Sequence, residues 1–257
     1  MPSYKDIIKL ISPEQLTILE QKEQQGFTDL LLVPFALNQN IYQKRVVEVV
    51  KKHHSQNTLL RTKQDPSDPD EPFPLDPDNP VYQFQNDLAQ RAVFYPKTFA
   101  DNSEDCHGYN QTEAIQQFGA IQITFVRSEP NLPAQGEGKD KIQGNRIPFE
   151  ANQSSQNAFD LINTNSAYAH ELGWTYSTWF AYLLTHLDKT NQLIDDWQGN
   201  GKASYLTGQY FPSARGSAYA GSDFAYRRFF LNLNRVGYRN QSDAVRSAVI
   251  VPSNLNP

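Results

Sequence analysis

Cysteine occurs once, at Cys106, so no disulfide can form within the chain, and nothing in the sequence points to an oxidising compartment. Long apolar runs are missing too: no stretch approaches the roughly 20 residues of a membrane span. The opening "MPSYKDIIKLISPEQ" has no basic segment followed by an apolar one, so no secretory signal is expected. The default expectation is a soluble cytoplasmic protein, and a protein of a phage particle would have the same composition. Charged residues are only 20% and the net charge is −5. No basic stripe stands out, which argues against a nucleic-acid partner. A membrane partner is not expected either. What the 257 residues do hold is Asn, Gln, Tyr and Phe in plenty, side chains that pack and hydrogen-bond without large charge, as binding surfaces do.

Catalytic patterns are absent. There is no Gly-x-Ser-x-Gly elbow and no dinucleotide glycine fingerprint. "NLPAQGEGKDKIQGNR" has glycines and Lys139, but the spacing fails the phosphate-loop pattern and no Ser or Thr follows the lysine, so it reads as a surface loop. His170-Glu171 with His186 invites a zinc reading. Trp174 stands where a metalloprotease helix needs its second histidine, so ordinary surface or capping roles are favoured. Adjacent Cys106 and His107 do not make a thiolate and base, because neighbours in a strand face opposite ways. The acids Asp195 and Asp196, beside Trp197, could do acid–base work, but two acids in a loop or at the start of an element are commoner. Asp65, Asp68, Asp70 and Asp76 lie in the acidic, proline-rich "KQDPSDPDEPFPLDPDNP". Their spacing is not that of a calcium loop, and a solvated crossing loop is expected. No catalytic residue, metal site or cofactor is therefore predicted.

Local signals place the elements. In "SPEQLTILEQKEQQG", Ser12 is an N-cap, Pro13 takes the first helical position, Gln15 completes a capping box and Gly26 ends the helix. "FTDLLLVPF" reads as a buried strand, "NQNIYQKRVVEVVKKHH" as a helix and "TLLRT" as a short strand. That order predicts a small α/β layer over Thr28 to Thr62. "AVFYP" and "GAIQITFVRSEP" read as strands, with a short helix in "NQTEAIQQFG" between them. "STWFAYLLTHLDKTNQLIDDW" is the strongest helical stretch, with Ser177 as its cap. Trp179, Phe180, Leu183, Leu184 and Leu187 form its apolar side.

The stretch "GSDFAYRRFFLNLNRVGYRNQSDAVRSAVIVP", Gly221 to Pro252, alternates like a strand and then stops. Its tyrosines, arginines and asparagines alternate with positions that look structural: Gly221, Ala225, Leu231, Leu233 and Val245. Alternate strand residues share a face, so one set can form a surface while the other holds the core. The predicted ligand-binding set is Tyr219, Ser222, Asp223, Phe224, Tyr226, Arg228, Tyr238, Asn240 and Ser242, all with exposed side chains. Val245, Ala248 and Ile250 are expected to be buried.

Several motifs in this region resemble those of a known family. Arg215-Gly216-Ser217-Ala218-Tyr219 resembles the Arg-Gly-Gly-Ser-Trp type segment of C-type lectin folds related to formylglycine-generating enzymes. Leu231-Asn232-Leu233-Asn234, Asn240 to Ala244 and Val245-Arg246-Ser247-Ala248-Val249 follow in the order found at the end of variable proteins from diversity-generating retroelements. "THLDKTNQLIDDWQGNGKASYLTGQYFP" is similar to the part preceding the variable region in such proteins. The resemblance runs from Thr185 to Pro252, about a quarter of the chain. It implies a C-type lectin-like fold whose ligand face is rewritten at adenines by an error-prone reverse transcriptase. Adenine-rich asparagine codons then become the Tyr, Ser, Asp, Phe and Arg found here. Cys106 lies outside the resembling segment, so the cysteine chemistry of the formylglycine-generating enzymes is not implied.

The resulting expectation is a mixed α+β chain: an N-terminal α/β region over 1–115 and a C-type lectin-like domain over 116–257, with its variable region at about 215–246. The expected partner is an unknown protein or surface ligand. A phage tail or receptor-binding protein and an enzyme with an unfamiliar site are the alternatives.

Overall fold

The structure, a computed structural model, describes residues 11–62, 70–82, 91–199 and 201–252. Its first helix, α1 (Pro13–Gln24), starts as its residues dictate: the Ser12 side chain accepts from the Gln15 N–H and the Gln15 side chain accepts from the Ser12 N–H. The two bonds satisfy donors that a helix start leaves free. Gly26, at φ +88, turns the chain into β1 (Phe27–Val33). Then follow α2 (Gln39–Ser55), β2 (Val81–Tyr82), β3 (Val93–Phe94), α3 (Gln111–Phe118), β4 (Gln122–Arg127), α4 (Ser155–Thr164), β5 (Leu172–Gly173) and α5 (Tyr176–Thr190). The chain ends on β6 (Asp196–Trp197), β7 (Ala203–Phe211), β8 (Gly216–Asp223), β9 (Arg228–Arg235), β10 (Asp243–Val245) and β11 (Ser247–Val251). The class is mixed α+β. Among the described residues no helix is long and apolar enough to cross a membrane.

Two sheets organise these strands. The first is antiparallel, in the order β1-β4-β11-β5, so the last strand lies inside it. Val245, Ala248 and Ile250 are buried, as expected. The second is built on the antiparallel meander β7-β8-β9, flanked by β10 and β2 in parallel, with β3 joining β7 and β6 joining β8. Helix α5 touches β1 of the first sheet and β7 and β8 of the second, and α2 packs along it. Thr175, not Ser177, caps α5, and Ser177 is buried inside its first turn. The sheets approach closely where Gly173 meets Gly208. A Cβ on either would run into the other strand's backbone, so only glycine fits there.

One core spans the proposed boundary at 115/116. It joins Leu31, Val46 and Phe94 to Trp179, Leu206, Leu231 and Ile250. The α/β layer expected over Thr28 to Thr62 does not form. The partner of β1 is β4, and "TLLRT" supplies only isolated bridges from Leu60 to Pro72 and Gln192. Of the acidic loop, Asp65 and Asp68 lie outside the described residues. Asp76 shapes a turn by accepting from the Asp78 and Asn79 N–H groups.

Buried ion pairs fasten the C-terminal strands to the rest. Arg246 sits where the chain leaves β10 in one sheet and enters β11 in the other. Its Nη2 donates to Asp195 Oδ1 at 2.6 Å, and its Nε donates to Ser204 Oγ at 2.9 Å. Asp195 Oδ2 also accepts from Trp179 Nε1 at 2.9 Å and Ser204 Oγ at 2.6 Å. Next to it, Glu171 accepts from Lys22, both ends of the Arg146 guanidinium and Ser247 Oγ, at 2.6–2.8 Å. Asp196 takes Arg61 Nε at 2.9 Å. Buried ion pairs of this kind are costly to break from one side, because the remaining charge stays buried.

Candidate functional site

The hairpin β8–β9 has two distinct faces. Ala218, Ala220 and Ser222 of β8 stand opposite Leu233, Leu231 and Phe229 of β9. Their side of the sheet is turned to the main core. On the other side Tyr219 pairs with Asn232, Gly221 with Phe230, and Asp223 with Arg228. There Phe230 lies over Gly221, where a Cβ would meet its ring at 3.0 Å. A row of rings runs across this side. Tyr205 lies 5.9 Å from Tyr219, Tyr219 is 5.2 Å from Phe230, and Phe230 is 5.5 Å from Trp197. Such edge and tilted contacts hold aromatic side chains in place.

Helix α4 covers the part of this face over β7 and β10, packing with Phe149, Tyr205 and Val245. Beyond Tyr219 the face is partly open, with Phe230 and Asp223 buried in it. Tyr226 is 64% and Tyr238 48% exposed, and Asn232 and Asn234 are half-buried between them. The Arg228 guanidinium is held over the rings of Tyr82 (4.9 Å) and Tyr226 (5.2 Å). At the far end a groove of about 640 Å³ opens between Ser213–Arg215 and Asn234–Tyr238.

Of the predicted set, Tyr219, Tyr226, Arg228 and Tyr238 come together on this side. Asn240 and Ser242 are half-buried beside it, and the Asn240 side chain accepts from the Ser242 N–H to form the turn into β10. Full exposure holds only for Tyr226 and Tyr238; Tyr219, Arg228, Asn240 and Ser242 are half-buried, and the other three are buried or turned to the core. Ser222 is fully buried and donates to the Ile194 carbonyl, because β8 is a central strand covered on its core side. Asp223 is buried and accepts from the Tyr226 N–H, closing the β8–β9 turn. Phe224 packs against the main core with the Arg61 guanidinium 4.1 Å above its ring. Ala225, expected as a structural position, is exposed in that turn. Sequence reasoning missed Asn232, Asn234 and Tyr82. The asparagines were visible as alternates of Leu231 and Leu233. Tyr82 had no signal, since it arrives through the parallel pairing of β2 with β9.

A carboxylate lies beneath the ring row. Asp243 is 2% exposed, and its Oδ1 and the Trp197 Nε1 are buried without a hydrogen-bond partner of good geometry. Burial raises the Asp243 pKa to about 6, against the opposing pull of Tyr205, Trp197 and Lys202. Burial also raises the Tyr219 hydroxyl pKa, and the neighbouring Asp243 adds to that.

The other candidate groups are dispersed. Glu171 is consumed in its ion network, His170 is exposed, and His186 lies on α5 against Tyr182, with its pKa lowered by burial. Trp174 donates to the Ser247 carbonyl from the core. Cys106 is buried, and its Sγ donates to the Asn102 carbonyl at 3.1 Å while His107 is exposed. Among the described residues no three His, Cys, Asp or Glu side chains cluster as metal ligands. No family model matches the chain, and neither a curated protein nor a solved structure matches it.

Proposed function

We propose that the chain is a non-catalytic ligand-binding protein with a C-type lectin-like fold, whose C-terminal face is diversified by a retroelement through adenine mutagenesis. The observation that carries this is the division of labour within β8–β9. Ala218, Ala220, Phe229 and Leu231 are locked into the core, while Tyr219, Arg228, Asn232 and Asn234 share the opposite side with the exposed Tyr226 and Tyr238. A rigid strand scaffold under adaptable Tyr, Arg and Asn side chains loses little ordering entropy on binding. The lectin-like reading is supported by the last strand lying inside one sheet, a separate antiparallel meander bearing the face, and buried ion pairs where the chain crosses between them.

The test is in the encoding DNA. A nearby near-copy of codons 219–246 that differs from the gene only where the copy has adenine is the expected result. The changed codons should fall on Tyr219, Tyr226, Arg228, Asn232, Asn234 and Tyr238, and spare Leu231, Leu233 and Val245. Differences spread evenly over both sets would refute the reading.

A further inference from the structure

The segment from Ser213 to Ser242 carries five arginines and a single acid, Asp223, on a chain whose net charge is −5. Asp223 is buried, so the surface of this segment has no acid of its own. Arg215 pairs with Asp101 at the rim of the groove. Arg227 donates to the carbonyls of Pro74 and Leu75 and lies near the Asp76 carboxylate, so it is taken up outside the face. Arg228, held between two tyrosine rings, and the exposed Arg235 and Arg239 form no ion pair among the described residues. An acidic protein thus presents three guanidinium groups, without an ion pair among the described residues, near its exposed tyrosines.

We infer that the partner is a protein that docks a short acidic segment along this face and into the groove at its end, its carboxylates on Arg228 of the face and on Arg235 and Arg239 at the groove end, and its apolar atoms on Tyr226 and Tyr238. The inference rests on the reading of this side as the binding face. Guanidinium groups match carboxylates in geometry and bind them with charge-assisted hydrogen bonds. The groove of about 640 Å³ lined by Arg215, Asn234, Arg235 and Tyr238 gives such a segment a bounded seat. A long polyanion would run past the patch onto the acidic remainder of the molecule and be repelled there, whereas a short segment would not.

A labelled deca-glutamate peptide tests this, titrated into the full chain at about 20 and about 200 mM salt, since screening weakens exposed charge pairs. The expected result is binding that falls with salt and weakens at least about tenfold in Arg235→Glu with Arg239→Glu. The milder Arg235→Gln with Arg239→Gln should give a smaller loss, and both variants should keep the wild-type Tm. A control reverses Lys51 and Lys52, exposed on α2, to Glu and should bind as wild type. Absence of binding to the wild type, equal weakening in the α2 control, or heparin binding more tightly than the peptide would overturn the inference. None of these outcomes alters the codon comparison, which judges the diversified face separately.

Discussion

The crossing at Arg246 and the open side of β8–β9 use the same side-chain chemistry in opposite ways. At the crossing, Arg246 and Arg146 are buried and spend their donors on Asp195, Glu171, Ser204 and Ser247. On the open side and at its groove end, Arg228, Arg235 and Arg239 have no carboxylate partner among the described residues and lie near exposed tyrosines. A buried guanidinium without its acid is strongly destabilising, while an exposed one costs little and stays available. The crossing therefore tolerates few residues, and the open side tolerates many.

The sharpest way to break that contrast is at the crossing. Arg246→Met leaves Asp195 buried and unpaired, and should cost about 3–5 kcal/mol. For a chain of this size that lowers Tm by roughly 6–20 °C in a thermal melt. Adding Asp195→Leu should recover part of the loss, because no lone charge then remains. A smaller effect is expected beneath the ring row. The folded-state pKa of Asp243 is about 6, above its unfolded value, so the folded protein holds this proton more tightly. Its contribution is fully present below the unfolded pKa and is lost as pH rises through about 6. Asp243→Asn should flatten that part of the stability–pH curve and raise stability at pH 7.5 by roughly 1–3 kcal/mol, as read by urea unfolding at several pH values.

Phe224 separates the two regions further. It belongs to the predicted binding set, yet it packs against the core under Arg61. Phe224→Ala should cost about 1–2 kcal/mol in urea unfolding. Tyr226→Ala and Tyr238→Ala should each stay within about 0.5 kcal/mol of wild type in the same assay, since both rings are exposed.

Legibility in the sequence followed the range of the forces. The start of α1 was readable because Ser12, Pro13 and Gln15 act on one another over three residues. The final strand was readable because "AVIV" is buried on both faces. Thr28 to Thr62 misled because the strand pairing of β1 is set by β4, far along the chain, and local order carries no trace of it. At the site, alternation identified Tyr219 and Arg228 but misplaced Ser222. A serine on a central strand is compatible with burial once a carbonyl such as that of Ile194 accepts its proton. Arg246 and Asp195 gave no signal as a pair, because 51 positions separate them and only the fold brings them together.

The contrast between the two regions is tested most directly by measuring folded yield in two randomised libraries of the full chain. One varies Tyr219, Tyr226, Arg228, Asn232, Asn234 and Tyr238, and the other varies Glu171, Asp195, Ser204, Arg246 and Ser247. Most members of the first library should fold with Tm values within a few degrees of wild type, and few members of the second should fold at all. Comparable loss of folding in both libraries would contradict the account.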